Sequence, residues 1–367
     1  MNPIKTGALF LFIIFFILIL LPAAYSQQMD FEEYNPPSTL VVPAHNLTRS
    51  KFPFIDAHNH QWRSGSGDLS GLIAEMDQLN MKVMVNLSGR SGAELKSMVD
   101  NTTSQYPGRF IVFANIDFNG IGTAGWAEKV TRQLEADVSN GAKGLKIFKN
   151  LGMSVKDADG KRVPVNDPRI DPVWEKCAQL KIPVLIHTAD PKPFWQPHDK
   201  QNERWLELKE VPNRKRSDTD PAPWEQIIEE QHALFKKHAK TIFINAHLGW
   251  LGNDLGKLGR LMDECPNMYT EIGAVLAEIG RQPRFAREFF TKYQDRILFG
   301  KDSWHPEEYH AYFRVLETND EYFDYYRRRH AFWKIYGMGL PDEILKKVYY
   351  KNALRIIPGI DRSAFPD

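Results

Sequence analysis

Residues 144–187 contain one full unit of the pattern that decides the fold. They read GLKIF (144–148), a polar stretch, the helix-like segment PVWEKCAQL (172–180), and PVLIH (183–187). The two short apolar runs fit buried strands, and the segment between them fits an amphipathic helix. A strand, a helix and a second strand in this order predict two parallel strands joined by a helical crossover.

The same pattern recurs along most of the chain. Apolar runs occupy residues 52–58, 82–86, 110–115, 144–148, 183–187, 241–247, 267–271 and 296–302. Helix-like stretches occupy residues 69–79, 126–140, 172–180, 224–238, 251–265 and 285–294. Eight such units predict an α/β fold of the (β/α)8 TIM-barrel type. The alternative is an open doubly wound sheet, and its dinucleotide-binding form is disfavoured because no Gly-rich loop follows the first run.

The remaining segments divide the chain into regions. The unbroken apolar run at 8–21, followed by small residues at Ala24 and Ser26, predicts a signal peptide over 1–26 and an exported, periplasmic or extracellular protein. An uncleaved anchor is the alternative; after cleavage we expect no stable membrane span. We interpret 27–50 as an N-terminal arm and 51–367 as the barrel domain with a C-terminal helical extension. The segment 188–223 is too long for an ordinary loop after strand 5 and predicts a lid or substrate loop.

Composition excludes some classes of protein. The 367 residues carry 47 Lys and Arg against 46 Asp and Glu. Binding to nucleic-acid phosphates needs a clear basic excess, so no nucleic-acid partner is expected. With only two cysteines, Cys177 and Cys265, the chain has no disulfide framework, and neither cysteine adjoins a chemical motif.

Metal-capable side chains follow several of the predicted strands. His58 and His60 end the first run, His187 the fifth, His247 the sixth and Asp302 the eighth. The carboxyl ends of all strands in a barrel open on one face, so these side chains can converge. His58 and His60 are two apart in an extended segment and therefore leave the strand on one side. The sequence thus predicts a metal site at the barrel mouth.

Four motifs carry a resemblance to a known family. FIDAHNH (54–60), IHTAD (186–190), NAHLG (245–249) and LFGKDS (298–303) resemble the metal-dependent amidohydrolase superfamily. They are closest to the branch of aminocarboxymuconate-semialdehyde decarboxylase, related aromatic-acid decarboxylases and lactonases. KNALR (351–355) is similar to the C-terminal motif of that branch. The resemblance runs from about 52 to 357 and departs from the family pattern at Lys301 and Trp304.

The resemblance implies a divalent metal, zinc or else manganese, and assigns its ligands. These are His58, His60, His187 and Asp302, with His247 as a further ligand or just behind them. Such a donor set suits either metal, and a vacant position would activate water at neutral pH. Asp302 could then take the proton and His247 could steady the developing oxyanion, so both are predicted to be catalytic.

Lys146 bears on the number of ions. It occupies the place where binuclear relatives carry a carboxylated lysine, so it is an additional ligand candidate. A register shift would put Lys149 there instead, and a salt-bridged lysine or a substrate-carboxylate binder is an equal alternative. Because the nearest branch is mostly mononuclear, we expect one ion.

Substrate-binding candidates lie in the loops after the strands. Arginines suit a carboxylate or sulfate, and aromatic side chains suit the face of a sugar or ring. An exposed loop position is the alternative for each. The candidates are Arg63, Arg90, Trp195, His198, Arg204 and Trp304.

Three functions remain open on the sequence. The first is hydrolysis of an ester, lactone or amide of a small carboxylated or sugar-like substrate. The second is a lyase reaction, either decarboxylation or loss of water from a uronate-containing sugar, with the same metal site. The third is a non-catalytic carbohydrate-binding barrel. The expected partner is a small molecule or oligosaccharide, and since barrels of this type often pair, a homodimer is a further expectation.

Overall fold

The computed structural model describes residues 29–30, 32–327, 329 and 333–366. The predicted signal peptide lies outside these residues and stays a prediction. Pro43–Asp367 is one compact unit, and Met1–Val42 is a separate one whose described residues form no helix or strand. Across the described part of the chain, each helix is too short or too polar to cross a lipid bilayer.

The eight predicted strands are all present and parallel. They are β1 Phe54–Asn59, β2 Met81–Asn86, β3 Phe110–Val112, β4 Leu145–Ile147, β5 Val184–Ile186, β6 Phe243–Asn245, β7 Met268–Glu271 and β8 Ile297–Leu298. Most of their residues are buried, as expected when helices cover a parallel sheet. The α/β barrel prediction is confirmed.

The strands form two hydrogen-bonded sheets in chain order. One contains β1 to β3 and the other β4 to β8. A single parallel bridge between Ala114 and Leu145 joins β4 to the segment after β3. At the other junction, the Ala57 amide donates to the Phe299 carbonyl over 2.9 Å. The ladders therefore follow the order of a barrel without making a continuous ring.

Helices alternate with the strands and bury one face each. They are α1 Ser70–Leu79, α2 Gly92–Gln105, α3 Trp126–Ser139, α4 Asp171–Leu180, α5 Trp205–Glu210, α6 Trp224–Lys237, α7 Leu255–Glu264, α8 Leu276–Gly280, α9 Pro283–Lys292, α10 Tyr309–Glu317, α11 Asp342–Lys346 and α12 Asn352–Ile356. Helix α4 illustrates why the sequence pattern predicts these helices. Pro172 lies in its first turn, and Val173, Trp174 and Cys177 form its buried face.

Two segments add to the barrel, an insertion after β5 and the C-terminal helices. The segment between β5 and α6, here called the β5 insertion (residues 187–223), contains α5 and short 3-10 turns, so the predicted loop is partly helical. The C-terminal helices pack on β1 and β8, where Phe54 contacts the rings of Phe313 and Tyr349. Both cysteines are buried and free.

Candidate metal centre and active site

The five predicted strand-end residues lie at the carboxyl end of the barrel, but among the described residues only His58, His247 and Asp302 form one cluster of possible metal ligands, with His60 and His187 outside it. Asp302 Oδ1 lies 3.3 Å from His58 Nε2 and 3.6 Å from His60 Nε2. His187 Nδ1 lies 3.4 Å from His247 Nε2. Ligand atoms of His58, His247 and Asp302 all lie within 4.8 Å of one another. The structure therefore brings side chains from β1, β6 and β8 to one point.

Three of the imidazoles are held through Nδ1. His58 Nδ1 lies 2.9 Å from Glu271 Oε1, and His247 Nδ1 lies 2.8 Å from the Gly273 carbonyl oxygen. A carboxylate and a carbonyl oxygen accept hydrogen bonds, so each Nδ1 carries the proton and each Nε2 presents a lone pair toward the centre. His60 Nδ1 is 2.8 Å from Ser88 Oγ. This arrangement is typical of metal-binding histidines.

The orientation of His247 also bears on its predicted role. With the proton on Nδ1, the neutral ring accepts at Nε2 and has no proton there to donate to an oxyanion. A ligand or base role therefore fits the neutral ring better than oxyanion stabilisation. His247 and Leu248 adopt left-handed backbone angles, with φ of 58° and 52°, in the turn that follows β6. This uncommon turn puts His247 over the end of the barrel.

Glu271 is a buried carboxylate that sequence reasoning missed. Besides His58, it accepts the His247 backbone amide over 2.6 Å and the Gly273 amide over 2.5 Å. It therefore fixes two of the imidazoles at once. A Cβ atom at Gly300 would overlap its carboxylate, so that position has to lack a side chain. Its place at the end of the predicted seventh strand was the signal that could have found it.

The donor set fits a divalent cation. His187 Nε2 is buried and finds no hydrogen-bond partner among the described residues, which is costly for a polar atom unless something else binds it. The cluster of His58, His247 and Asp302 offers nitrogen and oxygen ligands of the kind that zinc and manganese take, and His187 borders it with Nδ1 3.4 Å from His247 Nε2.

Burial and charge put these groups in their metal-binding protonation states. Burial, with Lys146 nearby, lowers the pKa of His58 well below its usual value and that of His60 to about 4. Burial and then His247 lower the pKa of His187. Burial alone would raise the pKa of Asp302, but the surrounding His58, His247, His60 and Lys146 lower it to about 2. Neutral imidazoles and an ionised carboxylate are the forms that bind metal.

Lys146 points into this centre, and Lys149 does not take its place. Lys146 Nζ lies 3.4 Å from His58 Nε2, and burial lowers its pKa to about 8, although Asp302 and Glu271 raise it. Lys149 instead forms an ion pair with the buried Asp190. The register that puts Lys146 inward is thus the one observed. Its predicted place as an additional ligand stays a prediction.

Two cavities open from the centre. An inner cavity of about 120 Å³ is lined by His187, His247, Asp302 and Trp250, and by residues of the β5 insertion. An outer pocket of about 610 Å³ adjoins it and is lined mostly by polar and charged side chains. Asp302, Arg214 and Arg327 line both. Asp302 therefore lies between the candidate metal centre and the solvent-facing outer pocket.

Of the predicted substrate-binding residues, Arg204 lines the inner cavity. It is 4% exposed and forms ion pairs with Glu207 and Glu278, so its guanidinium also ties the β5 insertion to α8. Its charge is evident from the sequence, but these partners are not.

The other five predicted substrate-binding residues do not line either cavity. Arg63 and Arg90 are exposed. Trp195 donates its indole N–H to the Ala222 carbonyl, and Trp304 donates to Glu75. His198 is exposed and lies against the backbone of Trp205. Their substrate-binding roles stay predictions.

Several cavity residues were missed by sequence reasoning. Their common feature is that they come from the β5 insertion, from turns near it, or from the segment after α10. They are Asp190, Phe194, Glu207, Arg214, Trp250 and Arg327. Nothing in their spacing marks them, because packing between distant segments brings them together.

Comparison with known proteins places this arrangement in context. The sequence profile of the amidohydrolase family matches residues 55–359. A search among proteins of curated function gives no match.

Solved structures show the same fold at low identity. A dihydroxybenzoic acid decarboxylase from Polaromonas sp. JS666, solved with manganese and the inhibitor 2-nitroresorcinol, is 14% identical with a TM-score of 0.54, covering 83% of this chain and 96% of that one. The 2,6-dihydroxybenzoate decarboxylase from Rhizobium is 13% identical with a TM-score of 0.52, covering 83% and 98%. An uncharacterised TIM-barrel protein from Bordetella bronchiseptica is 16% identical with a TM-score of 0.50, covering 79% and 82%.

Proposed function

Since the chain belongs to the amidohydrolase family and is a metal-dependent enzyme of that family, we propose that it is a lyase acting on a small carboxylated substrate. The reaction would remove carbon dioxide or water at the centre that contains His58, His247 and Asp302. The observation that carries the proposal is the cavity beside Asp302, whose walls bear Lys149, Arg204, Arg214 and Arg327. These four cationic side chains outnumber the three carboxylates of the same lining, Asp190, Glu207 and Asp302, and this excess favours an anionic substrate.

Two features support lyase chemistry. The decarboxylases from Polaromonas and Rhizobium share the fold, and their names state substrates that carry a carboxylate. In this chain, Trp250 stacks on His247 with ring centroids 4.6 Å apart and forms an apolar wall of the inner cavity. A carboxylate placed between that wall and cationic side chains would lose its hydration there.

The metal would be held by His58, His60, His187 and Asp302, with His247 as a further ligand. It would act as a Lewis acid on a substrate oxygen. We propose one ion, with zinc the first choice and manganese the second. Metal analysis of purified protein would decide between them, and more than one ion per chain would contradict the single-ion proposal.

Side chains of the protein would transfer the proton that the reaction requires. Either reaction needs a proton to be delivered to or removed from a substrate atom. Asp302 is ionised, one third exposed and faces both cavities, so its carboxylate can take that proton and return it. Glu271 keeps the Nδ1 proton of His58 in place, and Gly273 does the same for His247, so neither ring turns during the reaction.

Hydrolysis of an ester, lactone or amide is the second candidate, favoured by the family to which the chain belongs. A panel of aromatic acids, uronate oligosaccharides and lactones, incubated with zinc-loaded and manganese-loaded protein, separates the candidates by mass. Loss of carbon dioxide or water supports the lyase, and gain of water supports the hydrolase. If no panel member changes mass while the protein holds metal, the proposed substrate classes are wrong.

We also propose that the enzyme is exported. The support is the apolar run at 8–21 followed by Ala24 and Ser26. N-terminal sequencing of the protein made by its own cells tests this, since a first residue near Gln27 is expected and an intact N-terminus with cytosolic fractionation would contradict it.

A further inference from the structure

We propose that the site selects substrates with two anionic groups. The second group would be an oxyanion that binds Arg214 and Arg327, where the inner cavity meets the outer pocket. This proposal rests on the proposed function, because it assumes that the first anionic group lies at the metal centre. It adds the class of substrate and the two residues that distinguish it.

Cavity sizes give the first step. The inner cavity, about 120 Å³, is smaller than the cavity of about 150 Å³ that holds benzene in another protein. A reacting acid of a few carbons would fill it. Anything larger must extend into the outer pocket, which is about five times as large by the two volumes, 610 and 120 Å³. That extension passes Arg214, Asp302 and Arg327, since these line both spaces.

Both guanidinium groups are oriented by protein partners and remain partly exposed to solvent. Arg214 forms an ion pair with the buried Glu207 and is 39% exposed. Arg327 donates from Nη2 to Glu308 Oε2 and to Ser303 Oγ, each over 2.8 Å, and is 20% exposed. A side chain that is already oriented loses little entropy when it binds a ligand.

The local charge balance favours an anion on this wall. Glu308 is shared by Arg327 and the buried Lys301, so two cations surround one carboxylate. Asp190, on the inner side, is likewise shared by Lys149 and Arg216. Each group of three carries one net positive charge. Over the whole lining, the inner cavity has one more cationic side chain than carboxylates, whereas Arg214, Arg327 and Arg329 balance Glu210, Asp302 and Glu308 in the outer pocket, so an oxyanion would neutralise the excess only where the two spaces meet.

Arginine chemistry then specifies the ligand. A planar guanidinium presents paired donors that match the two oxygens of a carboxylate or sulfonate. Arg214 and Arg327 come from different segments, the β5 insertion and the region after α10, and both face the passage. A ligand that contacts both would be selected for the position of its second anionic group as well as for its charge.

The test compares matched acids on the metal-loaded full chain by isothermal titration calorimetry. The pairs are butanoate with glutarate and pentanoate with adipate, because each diacid differs from its monoacid by one added carboxylate. We expect at least one diacid to bind about tenfold or more tightly than its monoacid, as a charge-assisted hydrogen-bonded contact should give. 4-Sulfobutanoate, measured beside glutarate, distinguishes a site for any oxyanion from one restricted to carboxylates.

Variants assign the effect to residues. Arg214→Gln and Arg327→Gln should each weaken diacid binding more than monoacid binding, so that most of the diacid advantage is lost although both residues also line the inner cavity. Arg132→Gln, an exposed arginine on α3, is the matched control and should change neither value. Arg214→Lys keeps the charge without the paired donors, so it should recover only part of the advantage. Circular dichroism confirms that each variant is folded.

The outcomes separate this proposal from the proposed function. If monoacids bind only with metal present but diacids bind no more tightly, this proposal is wrong and the metal-centred function stands. If the diacid advantage survives in both arginine variants, the second group binds elsewhere and the proposal is also wrong. If no acid binds metal-loaded protein, both proposals fail together.

Discussion

The metal-binding end of the barrel and the outer wall of the cavity hold their functional groups in different ways. At the barrel end, His58 and Glu271 lie on strands and His247 directly follows one, and their hydrogen bonds run to neighbouring strand ends and backbone atoms. On the outer wall, Arg214 and Arg327 lie in inserted segments and are held by ion pairs to single carboxylates.

This difference suggests a division of labour. Groups anchored to backbone in a hydrogen-bonded sheet keep fixed relative positions, as metal binding and proton transfer require. Groups held by side-chain ion pairs on insertions can be exchanged without disturbing the sheet. In barrel enzymes, loops at the carboxyl face vary while the strands persist. Under the two proposals above, the barrel end would define the chemistry and the outer wall would define the substrate.

The largest expected effect is at the barrel end. Asp302→Asn removes a negative ligand and the proposed proton acceptor, so we expect turnover to fall about 10²–10⁴-fold and metal content to decrease. Turnover is measured on the substrate found by mass change, and metal by elemental analysis. Asp218→Asn, an exposed position in the β5 insertion, is the control and should change neither. Full occupancy and full turnover in Asp302→Asn would refute both assigned roles.

The next effect concerns the way the β5 insertion is anchored. Arg204 is 4% exposed and bridges Glu207 and Glu278, so Arg204→Leu leaves one buried and one partly buried carboxylate without this partner. We expect unfolding free energy in urea to fall by about 3–5 kcal/mol. Arg281→Gln, which breaks a more exposed ion pair with Glu203 of the same insertion, should cost below about 1 kcal/mol. Equal losses would show that burial does not distinguish the two pairs.

A smaller effect is expected at Glu271, which supports the metal ligands without being one of those proposed. Glu271→Gln keeps the shape but weakens the hold on the His58 Nδ1 proton and the His247 amide. We expect metal affinity to fall about 10–100-fold in a competition titration.

Glu230→Gln is the matched control for Glu271. Glu230 is also a buried glutamate, paired with Arg162 and outside both cavities. Its substitution should lower thermal stability and leave metal affinity unchanged. If Glu271→Gln behaved in the same way, Glu271 would be a structural residue and the division between barrel end and outer wall would lose one of its supports.

The two regions also differ in how far sequence could predict them. His58, His187, His247 and Asp302 could be found because each lies at the end of an apolar run, and parallel strands bring their ends together. Glu271 obeys the same rule, since it ends the seventh apolar run, but no second metal-capable residue stands beside it in that run. Arg214, Asp190 and Arg327 follow no such rule. Their meeting depends on how the β5 insertion folds against the rest of the barrel, which no local periodicity encodes.

The smallest expected effects test that contrast on the arginines. Arg63 and Arg90 were predicted to bind substrate because they follow strands, yet both are exposed and line neither cavity. Arg90 Cζ instead lies 5.9 Å from the centroid of the Trp62 ring, and Arg90 Nη1 lies 3.8 Å from Glu94 Oε1. We expect Arg63→Gln and Arg90→Gln to change glutarate affinity less than about twofold, as surface substitutions usually do. If Arg90→Gln weakened glutarate binding tenfold while Arg214→Gln did not, the substrate would enter beside Trp62. A residue's position after a strand would then predict substrate binding better than its place in a cavity lining does.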